Sequence, residues 1–427
     1  MNIAILHYHL LPGGVGRIIQ SQVKALSEFY HLKILTGLAP DKSDWKNCDI
    51  EILPELNYLN QDLDSEDHKR ILQKILTFLK AKLSKNDILH VHNPNLGKNP
   101  LATLALSRLA EEDYPLFMHI HDFAEDRPAN REFLNSVISQ FYPAVEKILY
   151  PTARKLAYGV LNSFDRQRIS NILDNQKCYF LPNPVSMAET GSEKSSLDEK
   201  AEIMKKLRLK PALPVFIYPV RVIQRKNIGE YILFAKLWQH EANWLVTLPP
   251  ENPQEKTIYQ KWKDFTTTQN IPITFEAGTK CSFTRLMAAS DKIFTTSLRE
   301  GFGMAFLEPW VFDKAVAGRD IDYVTRDFRE EGIELPYLYH SLQVEHNKKT
   351  YDFPELSLED QMDFISEIDG KHPDTRIKNF QNIKALVFSQ AGKNLIFNNR
   401  KIIQERYSVN AYGKRLRDIY EKLAGQA

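Results

Sequence analysis

Along the first half of the chain, short runs of apolar residues alternate with longer stretches in which the apolar residues are spaced as in a helix. A short apolar run bounded by polar residues is typical of a buried strand, and apolar positions three and four apart indicate an amphipathic helix. Strands are predicted at residues 2–6, 32–36, 50–53, 87–92, 116–121, 158–161 and 178–181. Because helical patterns separate several of these strands, the sequence predicts a parallel, doubly wound α/β sheet.

The second half repeats this alternation after a polar stretch, residues 186–199, that is rich in Ser and Glu. Strands are predicted at 215–219, 244–248, 271–275 and 291–297, and helices at 228–237, 283–289, 395–407 and 411–423. A chain of 427 residues is too long for one hydrophobic core, so two domains are expected. We assign residues 1–190 and a C-terminal helix near 400–427 to the first domain, 191–210 to a linker, and 211–399 to the second domain.

Composition and charge narrow the classes of function. The formal net charge is +2, so nothing global indicates a nucleic-acid partner. No apolar run approaches the roughly 18 residues that span a bilayer, and the chain enters a strand directly, so we expect a soluble, cytoplasmic protein without a signal peptide. The lysine-rich face of a helix predicted at residues 67–85 leaves peripheral membrane contact open, although a solvated face is the simpler interpretation. The oligomeric state is undetermined.

The most informative stretch is residues 297–310, where a predicted strand meets a glycine turn and then a helix predicted at 304–311. Glu300 lies on the turn, and Glu308 lies about a turn into the helix. Glycines let backbone N–H groups approach a ligand, and a carboxylate among such donors can bind sugar hydroxyls. On spacing alone, a βα turn with two surface acids is the alternative.

Two cations follow another predicted strand end. Arg221 and Lys226 lie on the turn between the strand at 215–219 and the helix at 228–237. Fixed positive charges in this position suit a diphosphate, especially one that gains charge as it departs. Taken alone, the two residues could equally be solvated surface cations.

Two histidine pairs mark further strand ends, His90 with His92 and His119 with His121. Residues two apart in a strand share a face, so the side chains of each pair point the same way. Zinc needs a third ligand that neither pair clearly supplies, so no metal site is predicted. A neutral histidine bonded to a substrate hydroxyl is the better functional hypothesis, and a structural role is the alternative for His90, His92 and His119.

The first predicted strand leads into a Gly-Gly-Val loop, which includes Gly14 and Val15, and then into a helix. This order suits phosphate binding, but the glycine spacing is not that of a dinucleotide fingerprint, so the loop alone is weak support. Arg17, Lys98 and Arg127 on neighbouring loops are candidates for a small basic pocket, with solvated cations as the alternative.

Taken together, these motifs resemble those of the retaining, nucleotide-sugar-dependent glycosyltransferases of family 4. The resemblance rests on the Gly-Gly-Val loop, the His121–Asp122 strand end, the Arg221–Lys226 pair and the glutamate pair around Gly-Phe-Gly. It covers most of the chain up to about residue 321 and the closing helix. It implies the GT-B fold, in which two Rossmann-like, doubly wound α/β domains face each other across a cleft and the C-terminal helix returns to the first domain.

The resemblance also implies roles for side chains. Arg221 and Lys226 would hold the diphosphate of the donor, Glu300 would bind hydroxyls of the transferred sugar, and Glu308 would bind the ribose. His121 would bond the donor sugar. No metal and no cofactor are expected beyond the nucleotide-sugar co-substrate, because cations and amides would neutralise the leaving group.

Backbone groups complete the donor site that the resemblance implies. The amides near Gly14 and Val15 would reach the phosphates across the cleft. The backbone of Gly301, Phe302 and Gly303 would help Glu300 to grip the sugar. Retention of the anomeric configuration is likewise implied by the family, whose front-face route needs no second catalytic carboxylate.

The acceptor is less well indicated. Arg17, Lys98, Asp122 and Arg127 are the candidate contacts, and their basic character suggests a small, soluble, acidic acceptor such as a phosphorylated or carboxylated polyol or sugar acid. A GT-B nucleotide-sugar epimerase and a non-catalytic nucleotide-sugar-binding protein are the alternative functions.

Some segments depart from the family pattern. The loop at 246–253 lacks the glycine-containing turn that many members carry, and the loop at 317–322 has a single glycine where two are common. These departures leave the donor base and sugar (UDP- or GDP-linked) undecided. Residues 332–380 match no motif, and we hypothesise an insertion packed near the cleft.

Overall fold

The structure, a computed structural model, describes residues 2–11, 13–38, 40, 45, 48–173, 177–187 and 197–425. The chain divides into two compact units, here called unit 1 (Met1–Ser186 with Glu405–Ala427) and unit 2 (Met187–Gln404). Each unit has its own parallel sheet with helices packed on it. The predicted α/β class with two Rossmann-like sheets is therefore confirmed.

The sheet of unit 1 has seven parallel strands in the order β3-β2-β1-β4-β5-β6-β7. Its strands are β1 (Asn2–His7), β2 (His31–Thr36), β3 (Asp49–Ile52), β4 (Ile88–His92), β5 (Leu116–Ile120), β6 (Leu156–Val160) and β7 (Lys177–Phe180). The central strands β4, β5 and β6 are buried along their whole length, as expected for parallel strands covered on both faces. The strand order reverses beside β1, and α/β sheets bind ligands at the carboxyl ends of strands next to such a point.

The helices of unit 1 surround this sheet. They are α1 (Gly14–Leu26), α2 (Ser65–Lys82), α3 (Pro100–Glu111), α4 (Pro128–Ile138), α5 (Val145–Leu149), α6 (Ser163–Ile172) and α17 (Val409–Leu423). Helix α17 packs on α1, with Leu416 and Tyr412 in the same apolar core as Ile19. A β-carbon on Gly413 would lie 2.8 Å from that of Ala25, so this glycine permits the close approach of the two helices. The C-terminal helix therefore belongs to unit 1, as the fold prediction expected.

Unit 2 contains a six-stranded parallel sheet in the order β10-β9-β8-β11-β12-β13. Its strands are β8 (Val215–Arg221), β9 (Asn243–Leu248), β10 (Ile273–Thr274), β11 (Lys292–Thr295), β12 (Val316–Arg319) and β13 (Leu338–Tyr339), and a separate hairpin is formed by β14 (Gln343–His346) and β15 (Lys349–Asp352). Its helices are α7 (Leu197–Lys206), α8 (Ile228–Leu237), α9 (Pro253–Thr268), α10 (Ala277–Lys280), α11 (Phe283–Ala289), α12 (Glu308–Val311), α13 (Asp322–Glu330), α14 (Leu358–Glu367) and α15 (Phe380–Phe388). Helix α16 (Lys393–Tyr407) crosses the boundary between the units along the chain.

The predicted linker at 191–210 differs from the structure over part of its length. Residues 197–206 form α7, whose Ile203 and Met204 pack in an apolar cluster with Ile217 of β8. Residues 191–196 lie outside the described residues. The polar composition of 186–199 therefore does not extend to the residues that follow it, which help to build unit 2.

Residues 332–380 contribute to the core of unit 2, so their description as an insertion needs correction. Strand β13 extends the main sheet, and Leu342, Phe353 and Phe364 lie in the same apolar cluster as Phe234 of α8. A buried ionic network joins this segment to β12 and α8. These residues are structural for unit 2, whatever else they do.

That network is centred on Arg319, the last residue of β12. Its Nη2 lies 2.5 Å from Oε2 of Glu230 in α8, which is fully buried, and its Nη1 lies 2.7 Å from Oδ2 of Asp352. The hydroxyl of Tyr339 donates to Glu230 Oε1 at 2.6 Å. The side-chain amide of Asn227 donates to Glu230 as well, at 2.9 Å. Because Asn227 begins α8, the network supports the turn on which Lys226 lies.

Candidate functional site

The turn that joins β8 to α8 carries the predicted diphosphate-binding cations. Arg221 is the last residue of β8, and its Nη1 lies 3.2 Å from the Pro249 carbonyl oxygen and 2.7 Å from Glu251 Oε1. Arg221 therefore reaches the loop that follows β9. Lys226 ends a 3-10 helix, Gln224–Lys226, and is buried.

Glu300, on the loop after β11, binds two cations from this turn. Its Oε1 contacts Lys226 Nζ, and its Oε2 lies 3.0 Å from Arg225 Nη1. Burial alone would raise the pKa of Glu300, but the charges of Lys226 and Arg225 and hydrogen bonds from Lys226 and Ser297 hold that pKa below its ordinary value. Burial lowers the pKa of Lys226, and the charge of Glu300 opposes this effect. The lysine predicted to bind phosphate and the glutamate predicted to bind sugar thus neutralise each other in this structure.

Arg225 is a site residue that the sequence motifs do not indicate. Besides its contact with Glu300, its Nη1 donates to the carbonyl oxygen of Arg299 at 2.6 Å. Its side chain is 41% exposed, so it is more accessible than Lys226 at 11%. The only signal in the sequence is its position next to Lys226, which does not distinguish it from an ordinary surface arginine.

Hydrogen bonds hold the two loops together. The backbone N–H of Leu298 donates to the carbonyl oxygen of Arg225 at 2.9 Å. The carbonyl oxygen of Lys226 accepts from the hydroxyls of Tyr218 at 2.8 Å and Thr296 at 3.1 Å, and both of these side chains are buried. These bonds tie the backbone of Arg225 and Lys226 to the segment that leads to Glu300, so the two loops are joined before any ligand arrives.

The glycine turn at residues 301–303 follows directly. Gly303 has φ +87°, and a β-carbon there would lie 2.5 Å from a methyl carbon of Val324, so only glycine fits without strain. The side chain of Phe302 is buried, with its ring 5.4 Å from that of Phe328. A ligand at this turn could therefore meet the backbone of Phe302 but not its ring.

The continuous helix predicted at residues 304–311 is wrong. The chain forms a 3-10 helix, Met304–Phe306, and then the short helix α12. Pro309 has no N–H and lies in the first turn of α12, where a missing donor is tolerated, so a second helix starts there. Glu308 consequently begins α12 instead of lying a turn inside a helix, and it is partly exposed.

The glycine loop of unit 1 forms the first turn of α1. Gly14 and Val15 are its first two residues, and no side chain caps this end of the helix. A β-carbon on Gly16 would lie 3.1 Å from the carbonyl oxygen of Leu11, so the loop passes close to the helix here. Arg17 is exposed on the same turn. The first amides of α1 and the charge of Arg17 would favour an anion, and phosphate binding by this loop stays a prediction.

Three of the four candidate acceptor residues lie near one another. Arg127 Nη2 is 2.8 Å from Asp122 Oδ1, and Lys98 Nζ is 5.6 Å from the centre of the Tyr58 ring. Burial, with a contribution from the charge of Arg127, lowers the pKa of Lys98. The surface is therefore mixed in charge, with Asp122 offsetting one cation. Within the described residues, no ion pair joins Arg17 to this group.

The two histidine pairs form one buried cluster, because β4 and β5 are neighbours in the sheet. Nitrogens of His90, His92 and His119 all lie within 4.8 Å of one another. The statement that neither pair has a third metal ligand is thus wrong, since the neighbouring strand supplies one. Hydrogen bonds already engage both ring nitrogens of His90 and of His92, so a metal would have to displace them.

His121 lies at the edge of this cluster, just after β5, and is 7% exposed. Its backbone N–H donates to Asn93 Oδ1 at 2.7 Å, and its Nε2 lies 2.9 Å from His92 Nδ1. Burial lowers the pKa of His121 to about 4, so its ring is neutral near pH 7. A neutral imidazole suits hydrogen bonding to a hydroxyl, as proposed for this residue from the sequence.

In the part of the chain that the structure describes, no helix combines the length and the apolar character needed to cross a membrane.

Comparison with known proteins identifies a protein of similar sequence and several structures with a similar fold. No protein-family model matches the chain. Mannosylglucosyl-3-phosphoglycerate synthase of Petrotoga mobilis, a glycosyltransferase, is 30% identical over 349 residues, and the match covers 77% of this chain and 66% of that protein. The chain therefore spans slightly less than two thirds of the length of this relative.

Solved structures agree on the fold. A glycosyltransferase from Rickettsia africae superimposes with a TM-score of 0.66 and 14% identity, over 100% of this chain and 99% of that one. HepE from Anabaena, in complex with UDP-glucose, has a TM-score of 0.62 and 13% identity, over 99% and 100% of the two chains. This chain has the GT-B fold, and its sequence is similar to that of a glycosyltransferase that synthesises a glycosylated phosphoglycerate.

Proposed function

We propose that this chain is a retaining, metal-independent glycosyltransferase that moves a hexosyl group from a nucleoside-diphosphate sugar to a hydroxyl of a small acidic acceptor. The observation that carries this proposal is the cluster of Arg221, Arg225, Lys226 and Glu300 at the carboxyl ends of β8 and β11. Three cations face two carboxylates, because Arg221 also pairs with Glu251, so the cluster keeps an excess of one positive charge in a partly buried position. Such a site suits the diphosphate of a nucleotide sugar.

The chemistry would be stabilisation of the leaving group. As the bond between sugar and phosphate breaks, the diphosphate gains one negative charge, and fixed cations lower the energy of that state more than that of the bound donor. Because hydrogen bonds already hold both loops, little reorganisation is needed when charge develops. Glu300 would then turn from its ion pairs to sugar hydroxyls, with the diphosphate taking its place beside Lys226.

The acceptor class is proposed from two independent observations. Lys98 and Arg127 place positive charge on one surface of unit 1. The relative from Petrotoga mobilis is named for a product that joins mannose and glucose to 3-phosphoglycerate. We therefore propose an acceptor that bears a phosphate and a carboxylate, such as 3-phosphoglycerate or its glucoside, and a GDP- or UDP-linked hexose as donor. A cytoplasmic location stays a prediction.

The test is a donor-by-acceptor screen read by mass spectrometry. Purified protein, treated with a chelator, is incubated with UDP-glucose or GDP-mannose, with and without 3-phosphoglycerate and its glucoside. Acceptor-dependent release of nucleoside diphosphate together with a hexosylated product supports transfer, and NMR of the product gives its anomeric configuration. An altered donor without release would identify an epimerase instead. Donor binding without any reaction would indicate a binding protein, and a requirement for added metal would refute metal independence.

Charge-removing variants test the role of the cation cluster. Arg221→Gln and Lys226→Gln should each lower kcat about a hundredfold, which corresponds to about 3 kcal/mol of lost transition-state stabilisation. Arg285→Gln is the matched control, because Arg285 forms a surface ion pair with Glu202, 2.8 Å away, in the same unit. Turnover that survives both site substitutions would refute the mechanism.

A variant of the acceptor surface tests the acceptor class. Arg127→Ala should raise the KM for an anionic acceptor and leave that for the donor unchanged. Arg154→Ala, which removes a more exposed arginine of unit 1, should leave both values unchanged. An unchanged acceptor KM in Arg127→Ala would contradict the assignment.

A further inference from the structure

A chain of hydrogen bonds runs through the core of unit 1 to His121. Its members are polar side chains from α1, β4, β5, the residue after β5, and α17, namely Gln22, His90, His92, His119, His121 and Tyr420, here called the histidine relay. All of them are buried. A β-carbon on Gly159 of β6 would lie 2.5 Å from the Phe117 ring and 3.4 Å from the His119 ring, so this glycine makes room chiefly for Phe117, which packs beside the relay.

One arm of the relay determines the tautomer of His121. The side-chain oxygen of Gln22 lies 2.8 Å from His92 Nε2. An amide oxygen only accepts, so the proton of the neutral His92 ring is on Nε2 and its Nδ1 is an acceptor. His121 Nε2, 2.9 Å from that Nδ1, must then be the donor. With this orientation of Gln22, the neutral His121 ring carries its proton on Nε2, and its Nδ1 is a hydrogen-bond acceptor.

The other arm is compatible with this orientation of Gln22. Its side-chain nitrogen lies 2.9 Å from the Tyr420 hydroxyl and 2.9 Å from His90 Nδ1. The Tyr420 hydroxyl donates to the same nitrogen of His90 at 2.6 Å, so His90 carries its proton on Nε2 and donates to His119 Nδ1 at 3.3 Å. His90 Nδ1 then accepts from both the Tyr420 hydroxyl and the Gln22 amide, and each of the other bonds has one donor and one acceptor. The opposite orientation of the Gln22 amide would reverse the donors and place the proton of His121 on Nδ1, so the tautomer of His121 reports the orientation of Gln22.

We propose that Gln22 is a positioning residue that, through His92, holds His121 as the Nε2–H tautomer, so that Nδ1 accepts a hydrogen bond from a substrate hydroxyl. This inference rests on the proposed function and on the role that the family resemblance implies for His121, a hydrogen bond to the donor sugar. This tautomer affects which donor sugars the protein binds. A sugar that offers a hydroxyl proton to His121 is bound, whereas one that offers only an acceptor at that position meets a lone pair and is rejected.

The first measurement needs no activity. The full chain is labelled with ¹⁵N-histidine, the His121 signals are assigned by their loss in His121→Gln, and long-range ¹H–¹⁵N correlation near pH 7.5 reports which ring nitrogen carries the proton. We expect Nε2–H in the wild type and a mixture of tautomers in Gln22→Met. A proton on Nδ1 in the wild type, or an unchanged tautomer in Gln22→Met, would overturn the proposal.

The second measurement separates positioning from a purely structural role. Gln22→Met should lower kcat/KM for the donor about tenfold, the loss expected for one hydrogen bond. A donor that lacks the hydroxyl facing His121 should lose almost nothing from the same substitution. Gln20→Met on the same helix is the matched control, since Gln20 is partly exposed and outside the relay. An equal loss with both donors would mean that the substitution only disturbs the fold.

A second variant guards against a failure of Gln22→Met to fold. His92→Phe keeps an aromatic ring in the stack but removes the acceptor for His121, so the same change in tautomer and the same donor-specific loss are expected. Absence of acceptor-dependent turnover in the wild type would refute the proposed function and leave the tautomer measurement decisive. Zinc found at one equivalent and lost in His119→Met would overturn the relay, because a metal would occupy nitrogens that it uses.

Discussion

Acid should unfold unit 1, because five histidines are buried there without charge. Burial lowers the pKa of His7 to about 3 and that of His121 to about 4, and it lowers the pKa of His90, His92 and His119 well below the ordinary 6.5. Between these folded values and 6.5, the unfolded state binds more protons than the folded state. Stability therefore falls as the pH drops below about 6.5.

The magnitude follows from the same linkage. A histidine that titrates near 6.5 when unfolded and stays neutral when folded costs about 1.3 kcal/mol of stability between pH 7 and pH 5.5. Five such residues cost about 6 kcal/mol, which is comparable to the whole stability of many domains, about 5–15 kcal/mol. Urea unfolding followed by circular dichroism at the two pH values measures the loss. Hydrogen exchange of β4 and β5 peptides should assign it to unit 1.

Two variants make this prediction specific. His119→Met removes one titrating group and should reduce the loss by about 1.3 kcal/mol. His31→Gln is the control, because the His31 side chain is 62% exposed in the same unit, and it should leave the loss unchanged. Equal stability of the wild type at pH 7 and pH 5.5 would refute the reasoning, as would an unchanged loss in His119→Met.

Three further substitutions test unit 2. Gly303→Ala should destabilise the protein by about 1–3 kcal/mol, because φ is +87° and the new methyl would clash with Val324; a melting temperature equal to that of the wild type would contradict this. Arg319→Met should cost about 3–5 kcal/mol in urea unfolding, since it leaves the buried Glu230 carboxylate without its main partner, and an unchanged free energy of unfolding would contradict this. In steady-state kinetics, Arg225→Gln should raise the KM for the donor more than it lowers kcat, because this partly exposed cation would bind the negative charge that the donor already carries before the reaction. A fall in kcat at constant KM would argue against that role.

Local pattern was sufficient to predict the seven strands of the first sheet and four of the six strands of the second, because buried parallel strands are continuous apolar runs whose ends are marked by polar residues. It did not predict β12 and β13, which are short. It was insufficient wherever a feature depends on which strands are neighbours. The contact of His119 with His90 and His92 follows from the pairing of β4 with β5, and Tyr420 joins them from 330 residues away along the chain. The partnership of Arg225 with Glu300 likewise appears only once the loop after β11 lies against the turn after β8.

The predicted helix boundary near Glu300 and Glu308 was wrong for a different reason. Apolar spacing from Met304 to Val311 fits a single helix, but the left-handed backbone at Gly303 and the proline at 309 divide the segment into two short pieces. The prediction of the fold class was correct despite such errors, because it depends on many helices and strands at once. The role of Glu308, which depends on one boundary, is more sensitive to them.

The ion pair between Lys226 and Glu300 has a consequence for which anions the protein will admit. Orthophosphate, sulfate and other abundant small anions would have to displace a carboxylate that is tethered beside the lysine and therefore competes at a high local concentration. A nucleotide sugar, as in the proposed function, would also engage Arg221 and offer hydroxyl groups to the displaced glutamate, and these contacts would offset the lost ion pair. On that proposal, the carboxylate would act as an internal competitor that disfavours simple ions relative to molecules that combine phosphate with sugar.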